Sequence, residues 1–540
     1  MRDGMARTTL ACCAAAAILA CKPAAKLPDF SHYPVTPPSS SLHRLSIAQY
    51  ANSVHDLLAT DIVIPPELEP DVVIDGFVSV GMTTATISPT GVQRYEAAAL
   101  SIASQAIATP AHRQAFVPCT PANVSDQTCL TKFVTDFGHR AWRRPLTAAE
   151  VQQVVSVGAQ AAQTLNDPWQ GIAAAIADLL QSPYFLFRVE LGEPDPAGNG
   201  LRYSSQEMAS RLAAFLTNST PDATLLAAAE AGELVTDSGL QKQVERLLGS
   251  PAAHVAIRNY FTELYELSQL DSLGQDPTIY FAMSSDLGPS AREETLEDVE
   301  RLVLDQNADF RTFFTGRTTM VNRRLAAIYD VPAPSLTDYG SVTLPAKGLR
   351  AGFLGQVSFL ALQAHPTSTS PVLRGKFIRN VLLCDTIPPP PVGVNTGLEP
   401  VTATARTMRE RDQEHLQVGS VCYGCHSQMD PIGLALENFD AIGTYRTMDN
   451  GEPIDASGDL DGSSFNGPVQ LADLIVKSPK FPKCFAKEMF EYATGTAPTT
   501  GDSAMVDALG DAFVSTGYRV KDLMEIIAMS SGFRRAGAPQ

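Results

Sequence analysis

Cys422-Tyr423-Gly424-Cys425-His426 is the segment of this sequence best suited to chemistry. Two thiols separated by two residues can reach the two vinyl groups along one edge of a porphyrin, and the imidazole that follows can ligate the iron. The spacing predicts one covalent c-type haem on Cys422 and Cys425, with His426 as proximal iron ligand. Two other chemistries use the same residues. A CxxC pair can be half of a four-cysteine zinc site, with Cys384 and Cys484 as the rest, or a redox dithiol. Asp430-Pro431-Ile432-Gly433 begins four residues after His426. The Pro431 carbonyl is the expected acceptor for the His426 ring N–H, the bond that orients a ligating imidazole. The same four residues also read as a turn that ends the haem helix. Arg446 is a candidate for a haem propionate, or else an exposed arginine.

The distal ligand is less determined. His415 lies seven residues before Cys422, on the polar helical run from Arg409 to Gln417. It is the first candidate for distal iron, with Met448 and Met489 as alternatives and an open position as the third possibility. Met429 is too close to His426 in sequence to leave the proximal side. Met489 sits in an amphipathic stretch, Phe485 to Tyr492, where methionine more often fills a core. A second His or Met closes the iron for electron transfer, whereas a vacancy permits peroxide chemistry.

The elements that must position these residues are helical. The expected class is mainly α: a multi-helix N-terminal body plus a small cytochrome-c-like helical haem module at the C-terminus. Leu45, Ala48, Val54, Leu57 and Leu58 recur at helical spacing over 43–58, with Ser46 able to cap. Thr147 with Glu150, and Ser204 with Glu207, are capping boxes. Ser182-Pro183 breaks one helical run. Residues 291–330 predict two helices, and 348–365 a core helix. Strand patterns are sparse, at 340–344 and in a hairpin near 443–456. The expected division is a lipoprotein-type signal peptide over 1–20 and a tether over 21–40. Helical modules follow at 41–110, 111–181 and 182–335. A pre-haem module, 336–391, ends in the prolines 388–391, and the haem module occupies 392–540.

At 540 residues the chain exceeds one compact core. Its 58 carboxylates against 40 Lys and Arg argue against nucleic acid and suit a basic redox partner protein, or simply a soluble surface. Arg2 and Arg7 precede an apolar run from Leu10 to Ala20, too short to span a membrane. It ends in Ile18-Leu19-Ala20-Cys21, similar to a bacterial lipobox, so Cys21 is the candidate for lipidation, against an ordinary signal peptide with a chance cysteine. The expected location is therefore the periplasm or cell envelope, with membrane contact only through that anchor. Export makes disulfides available. Cys119 and Cys129 flank a short polar turn and are expected to pair; Cys384 and Cys484 are left for a long-range bridge.

Several motifs together resemble one family, the multi-module bacterial proteins built of planctomycete-specific domains of unknown function around a cytochrome-c-like haem motif. They are Leu42 to Tyr50 with Asp56 to Leu58, Ala141-Trp142-Arg143-Arg144-Pro145-Leu146-Thr147, Ser182 to Phe185, Arg211 to Asp222, Ser370 to Gly375, the haem segment with Leu436 to Gly443, Tyr492 to Gly495, and Ser530 to Arg534. Trp142 stands where the family has Phe, and Thr494 where a bulkier residue is usual. The resemblance implies haem and envelope but no reaction. The expected function is electron transfer through one haem. The alternatives are a haem-dependent oxidoreductase or peroxidase-like enzyme and an envelope scaffold with a structural haem. The body shows no nucleophile elbow, phosphate-binding glycine loop or HExxH motif.

Overall fold

A computed structural model of the chain describes residues 27–31, 33–38, 41–390, 400–413 and 415–538. The expected signal peptide, Cys21 and Pro391 lie outside the described residues. The molecule is mainly α, with short strands paired in small ladders.

Strand β1, Ser41–Arg44, leads into helix α1, Ile47–Leu57, where Ser46 and Gln49 form a reciprocal cap. Helices α2 (Pro89–Ala106), α3 (Gln127–Ala141), α4 (Ala148–Leu165) and α5 (Pro168–Gln181) follow. The Thr147–Glu150 capping box starts α4 as the spacing predicts. A strand, β2 (Phe187–Glu190), returns antiparallel to β1 with Ser41 opposite Glu190. Tyr50, Ile102, Phe133, Phe137, Ile176 and Phe185 share one core, so the expected modules 41–110 and 111–181 are not separately packed. Arg143 donates to the carbonyls of Phe185 at 2.7 Å and Phe187 at 3.0 Å, which joins two of the sequence motifs. Cys119 is disulfide-bonded to Cys129 in the first turn of α3, as expected.

A second, larger core is built by α6 (Ser205–Leu216), α7 (Ala252–Leu264), α8 (Leu287–Glu300), α9 (Pro371–Phe377), α10 (Tyr423–Gly433), the hairpin β3–β4 (Ser457–Leu460 and Ser463–Asn466), α11 (Lys480–Thr494), α12 (Ser503–Ser515) and α13 (Val520–Met529). Aromatic rings dominate it, with Tyr265 stacked on Phe353 at 4.4 Å and Phe310 against Phe485 at 4.8 Å. Phe353 precedes the proline run and Phe439 comes after it, yet both belong to this core. The prolines therefore punctuate the chain without separating a haem module from the body.

Three local expectations are corrected. Residues 348–365 are a short turn of helix, Phe353–Gly355, and a separate helix, Val357–Leu362. The break falls at Gln356, whose buried amide donates to Asp298 at 2.8 Å and accepts from Thr295 at 2.9 Å. Between the two helices expected over 291–330 lies a strand, Thr318–Val321, paired with Gly340–Thr343. The described part of the 21–40 tether is docked: Phe30 is in the core, and Ser531 donates to the Tyr33 carbonyl at 2.6 Å. No helix among the described residues is long and apolar enough to cross a membrane.

Candidate functional site

Helix α10 carries the CxxCH segment. Cys422 occupies its N-cap position and Cys425 lies three residues on, close to one helical turn, so both thiols share a face. Both are free and partly exposed, whereas the other described cysteines are paired, Cys119 with Cys129 and Cys384 with Cys484. The second pairing removes Cys384 and Cys484 from the four-cysteine zinc reading.

The helix is held from behind by α9. Main chain approaches main chain at two glycines: a Cβ on Gly375 would lie 2.0 Å from the Met429 oxygen, and one on Gly433 1.9 Å from the Pro371 oxygen. Arg374, fully buried, donates to the carbonyls of Leu436 at 2.9 Å, Phe439 at 3.1 Å and Asp440 at 3.0 Å. One buried cation thereby fixes the segment that leaves α10. Arg350 reaches the Gly443 carbonyl, with its guanidinium over the Phe439 ring. Arg379 donates to the carbonyl of Gln428 at 3.0 Å.

His426 projects from the next turn. Its Nδ1 is 2.7 Å from Asp430 Oδ2, four residues further along the same face. The Pro431 carbonyl is turned instead toward the hairpin, where a Cβ on Gly458 would meet its oxygen at 2.2 Å. The expected acceptor is thus replaced by the carboxyl oxygen of Asp430. The bond leaves Nε2 of His426 as the atom free to ligate. Beside this pair stands a second one, His415 Nδ1 to Asp412 Oδ1 at 3.1 Å. Asp430 and Asp412 are both buried and share a side-chain hydrogen bond, and Asp430 Oδ1 and Asp412 Oδ2 have no other partner. Burial, and then Asp412 next to it, push the Asp430 carboxyl well above the usual range, so Asp430 keeps its proton. Burial lowers the proton affinity of His426 and keeps its imidazole neutral.

The His415 and His426 rings are 4.5 Å apart between centres. Two metal–nitrogen bonds in line already span about 4 Å, before the ring radii are added, so this pair is closer than a trans pair on one iron. As they stand, one ligand atom from each of Asp412, His415 and His426 falls within 4.8 Å of the others, a set able to hold a metal ion. Met448 is exposed in the short strand Met448–Asp449, while Met489 is fully buried in the core. Arg446 is engaged inward, by Glu437 at 2.7 Å and Asp449 at 3.0 Å, rather than free to meet a propionate. Val418, Val421 and Tyr423 expose apolar surface beside the thiols.

Asp430 and Asp412 were not singled out by the motif. The i, i+4 spacing of His426 and Asp430 is legible once the segment is taken as helix through Pro431; Asp412 is not. Asp430→Ala is expected to lower stability by about 1–3 kcal/mol, since His426 Nδ1 would lose its partner and the buried Asp412 would lose its neighbour's hydrogen bond. Asp430→Asn, which keeps the shape, should recover most of that. Equal urea midpoints for wild type and Asp430→Ala would rule this pairing out.

Five family models match successive segments, each described as a protein of unknown function: DUF1587 over 43–108, DUF1595 over 129–190, DUF1592 over 203–331, DUF1588 over 350–449 and DUF1585 over 461–533. No curated protein and no solved structure matches. The fourth match runs across the proline run and takes in Cys422 to His426. The second extends to 190 and includes the Ser182 to Phe185 motif.

Proposed function

We propose that this chain, a member of the planctomycete-type multi-module family of unknown function, is an exported c-type haem protein of the cell envelope. Cys422 and Cys425 would hold one haem covalently and His426 would ligate its iron. The observation that carries the reading is the pair of free thiols on one face at the start of α10, followed at once by a neutral imidazole anchored through Nδ1. The exposed apolar side chains of Val418, Val421 and Tyr423 suit cover by a flat apolar macrocycle. Two disulfides elsewhere in the chain suit an oxidising compartment. A haem bound there supplies one-electron transfer when both axial positions are filled and peroxide chemistry when one is open.

Electron transfer to a basic partner remains the first reading, on the acidic balance of the chain. His415 as second ligand requires its segment to draw away from His426.

Production with a c-type maturation system should give a protein that stains for covalent haem after denaturation. Cys422→Ala with Cys425→Ala should abolish the stain. A colourless wild-type product from a host that matures a control cytochrome would overturn the reading. In the holoprotein, a low-spin iron indifferent to carbon monoxide and peroxide supports the carrier, and a high-spin iron that turns over peroxide supports the enzyme. Lipidation at Cys21 is read from the mass of the native N-terminus.

A further inference from the structure

The Cys384–Cys484 disulfide stands at the base of the proline run and joins it to the middle of α11. Its two ends differ. Cys484 is buried in the core face of α11, while Cys384 is partly exposed. Cys384 has φ +52°, the left-handed ending of the helical segment Ile378–Leu382, closed by the Asp385 N–H on the Arg379 carbonyl. Disulfides with an exposed sulfur are among those that exchange. A carboxyl oxygen of Glu488 lies 3.2 Å from the Cys384 sulfur.

The chain just past Cys384 reaches the CxxCH helix by direct contact. Asp385 receives Lys480 Nζ at 2.7 Å and Arg379 Nη1 at 3.0 Å, and its backbone N–H donates to the Arg379 carbonyl at 2.8 Å. Arg379 also pairs with Asp461 at 2.7 Å, and its Nε holds the Gln428 carbonyl, two residues past His426. The disulfide thus fixes Asp385, Asp385 helps to fix Arg379, and Arg379 grips α10.

We propose that Cys384–Cys484 is a thiol–disulfide exchange site for a dithiol reductant, and that its opening loosens the hold of Arg379 on α10. A thiolate of the reductant attacks the accessible Cys384 sulfur, the Cys384–Cys484 bond breaks, and Cys484 leaves as thiolate. The second thiol of the reductant then attacks the mixed disulfide and releases Cys384. The reductant ends as a disulfide, two electrons pass to the protein, and the two thiol protons end on the two cysteines. Glu488 is within proton-transfer distance of the departing Cys384 sulfur. Opening removes the covalent anchor next to Asp385, which is then held against Arg379 only by its hydrogen bonds and ion pairs. Exchange itself does not depend on the haem reading; only its consequence for a haem would rest on it.

The test uses the full chain made without haem, treated with graded dithiothreitol. Alkylation and mass spectrometry follow each disulfide, and amide hydrogen exchange follows residues 378–390 and 423–433. Opening of Cys384–Cys484 should be accompanied by severalfold faster exchange in both segments, while near-ultraviolet circular dichroism shows the fold persisting. Asp385→Asn, with the disulfide intact, should by itself quicken exchange over 423–433. The proposal is overturned if the bridge stays closed at every dithiothreitol concentration the fold survives. It is equally overturned if α10 exchanges at its former rate after opening, or in Asp385→Asn. A negative haem stain with these exchange results intact would remove the haem reading and leave the exchange site.

Discussion

Gly433→Val and Gly375→Val are each expected to cost the larger core about 3–5 kcal/mol, a large fraction of a domain's net stability. The added Cβ atoms would fall 1.9 Å from the Pro371 oxygen and 2.0 Å from the Met429 oxygen. Both obstacles are backbone, so no side-chain rotation relieves them, and α9 and α10 must move apart. Separation would uncover Ile432 and Phe377, each worth about 1.5–3 kcal/mol when fully buried. It would also strip carbonyl partners from Arg374. The two tryptophans, Trp142 and Trp169, both pack against the other core. In urea the far-ultraviolet signal should therefore lose midpoint in these variants while the tryptophan fluorescence transition holds its place. A wild-type circular dichroism midpoint in either variant would show that the helices do not cross at these glycines.

The second large effect is on pH dependence. Stability should decline as pH rises from about 5 toward 9, and Glu294→Gln should flatten much of that decline. Glu294 is fully buried, accepting from Thr319 Oγ1 at 2.6 Å and from Tyr329 Oη at 2.6 Å. The same Thr319 hydroxyl lies 2.7 Å from Asp298 Oδ2, and one hydroxyl proton cannot serve two carboxylates. Burial pushes Glu294 up to about 8 and Asp298 up to about 6. In the unfolded chain a glutamate titrates near 4.3. Between about 4.3 and 8 the folded state therefore binds more protons than the unfolded state. The stability from this group is full below about 4.3 and is lost as pH rises through about 8, by at most about 1.4 kcal/mol per unit. Glu150 and Glu190, each held at about 2, act in the opposite direction and only in acid. Thermal midpoints at three pH values decide the matter. Parallel slopes in wild type and Glu294→Gln would mean that Glu294 is already ionised near neutrality.

Much of the local structure is legible without coordinates because its causes lie within a few residues. Ser46, Thr147 and Ser204 cap their helices through the residue three positions on, and Ser182-Pro183 ends a helix where proline cannot continue one. The Cys422 to His426 motif is read for the same reason. Long-range pairings are not legible in this way. Leu42 to Arg44 looks like the run-in to a helix, and its role as a strand depends on residues 187–190. Glu294 and Asp298 lie in an acidic stretch, with Glu293, Glu297 and Glu300 around them, that reads as a solvated helix face. Only Thr319, Tyr329 and Gln356 make two of those carboxylates internal. Gly375 and Gly433 appear in recognisable motifs, but that each exists to admit the other helix is invisible until α9 and α10 are in contact. Pro431 and Asp430 illustrate the same boundary at the site, where adjacent residues exchange roles because the helix continues through the proline.

The docking of Phe30, Tyr33 and Pro38 has a consequence for synthesis. Ser531 hydroxyl and Tyr33 carbonyl meet across 498 positions, the Ser531 N–H donates to the Phe30 carbonyl, and the Gly537 N–H donates to that of Pro38. A ribosome releases the first of these partners hundreds of residues before the second. During that interval Phe30 has no place to go, and the larger core stays open at one side. Translation at about 5–20 residues per second makes the delay tens of seconds. The residues of the smaller core are all made by position 190, long before Ser531 and Gly537, the partners of the early segment, exist.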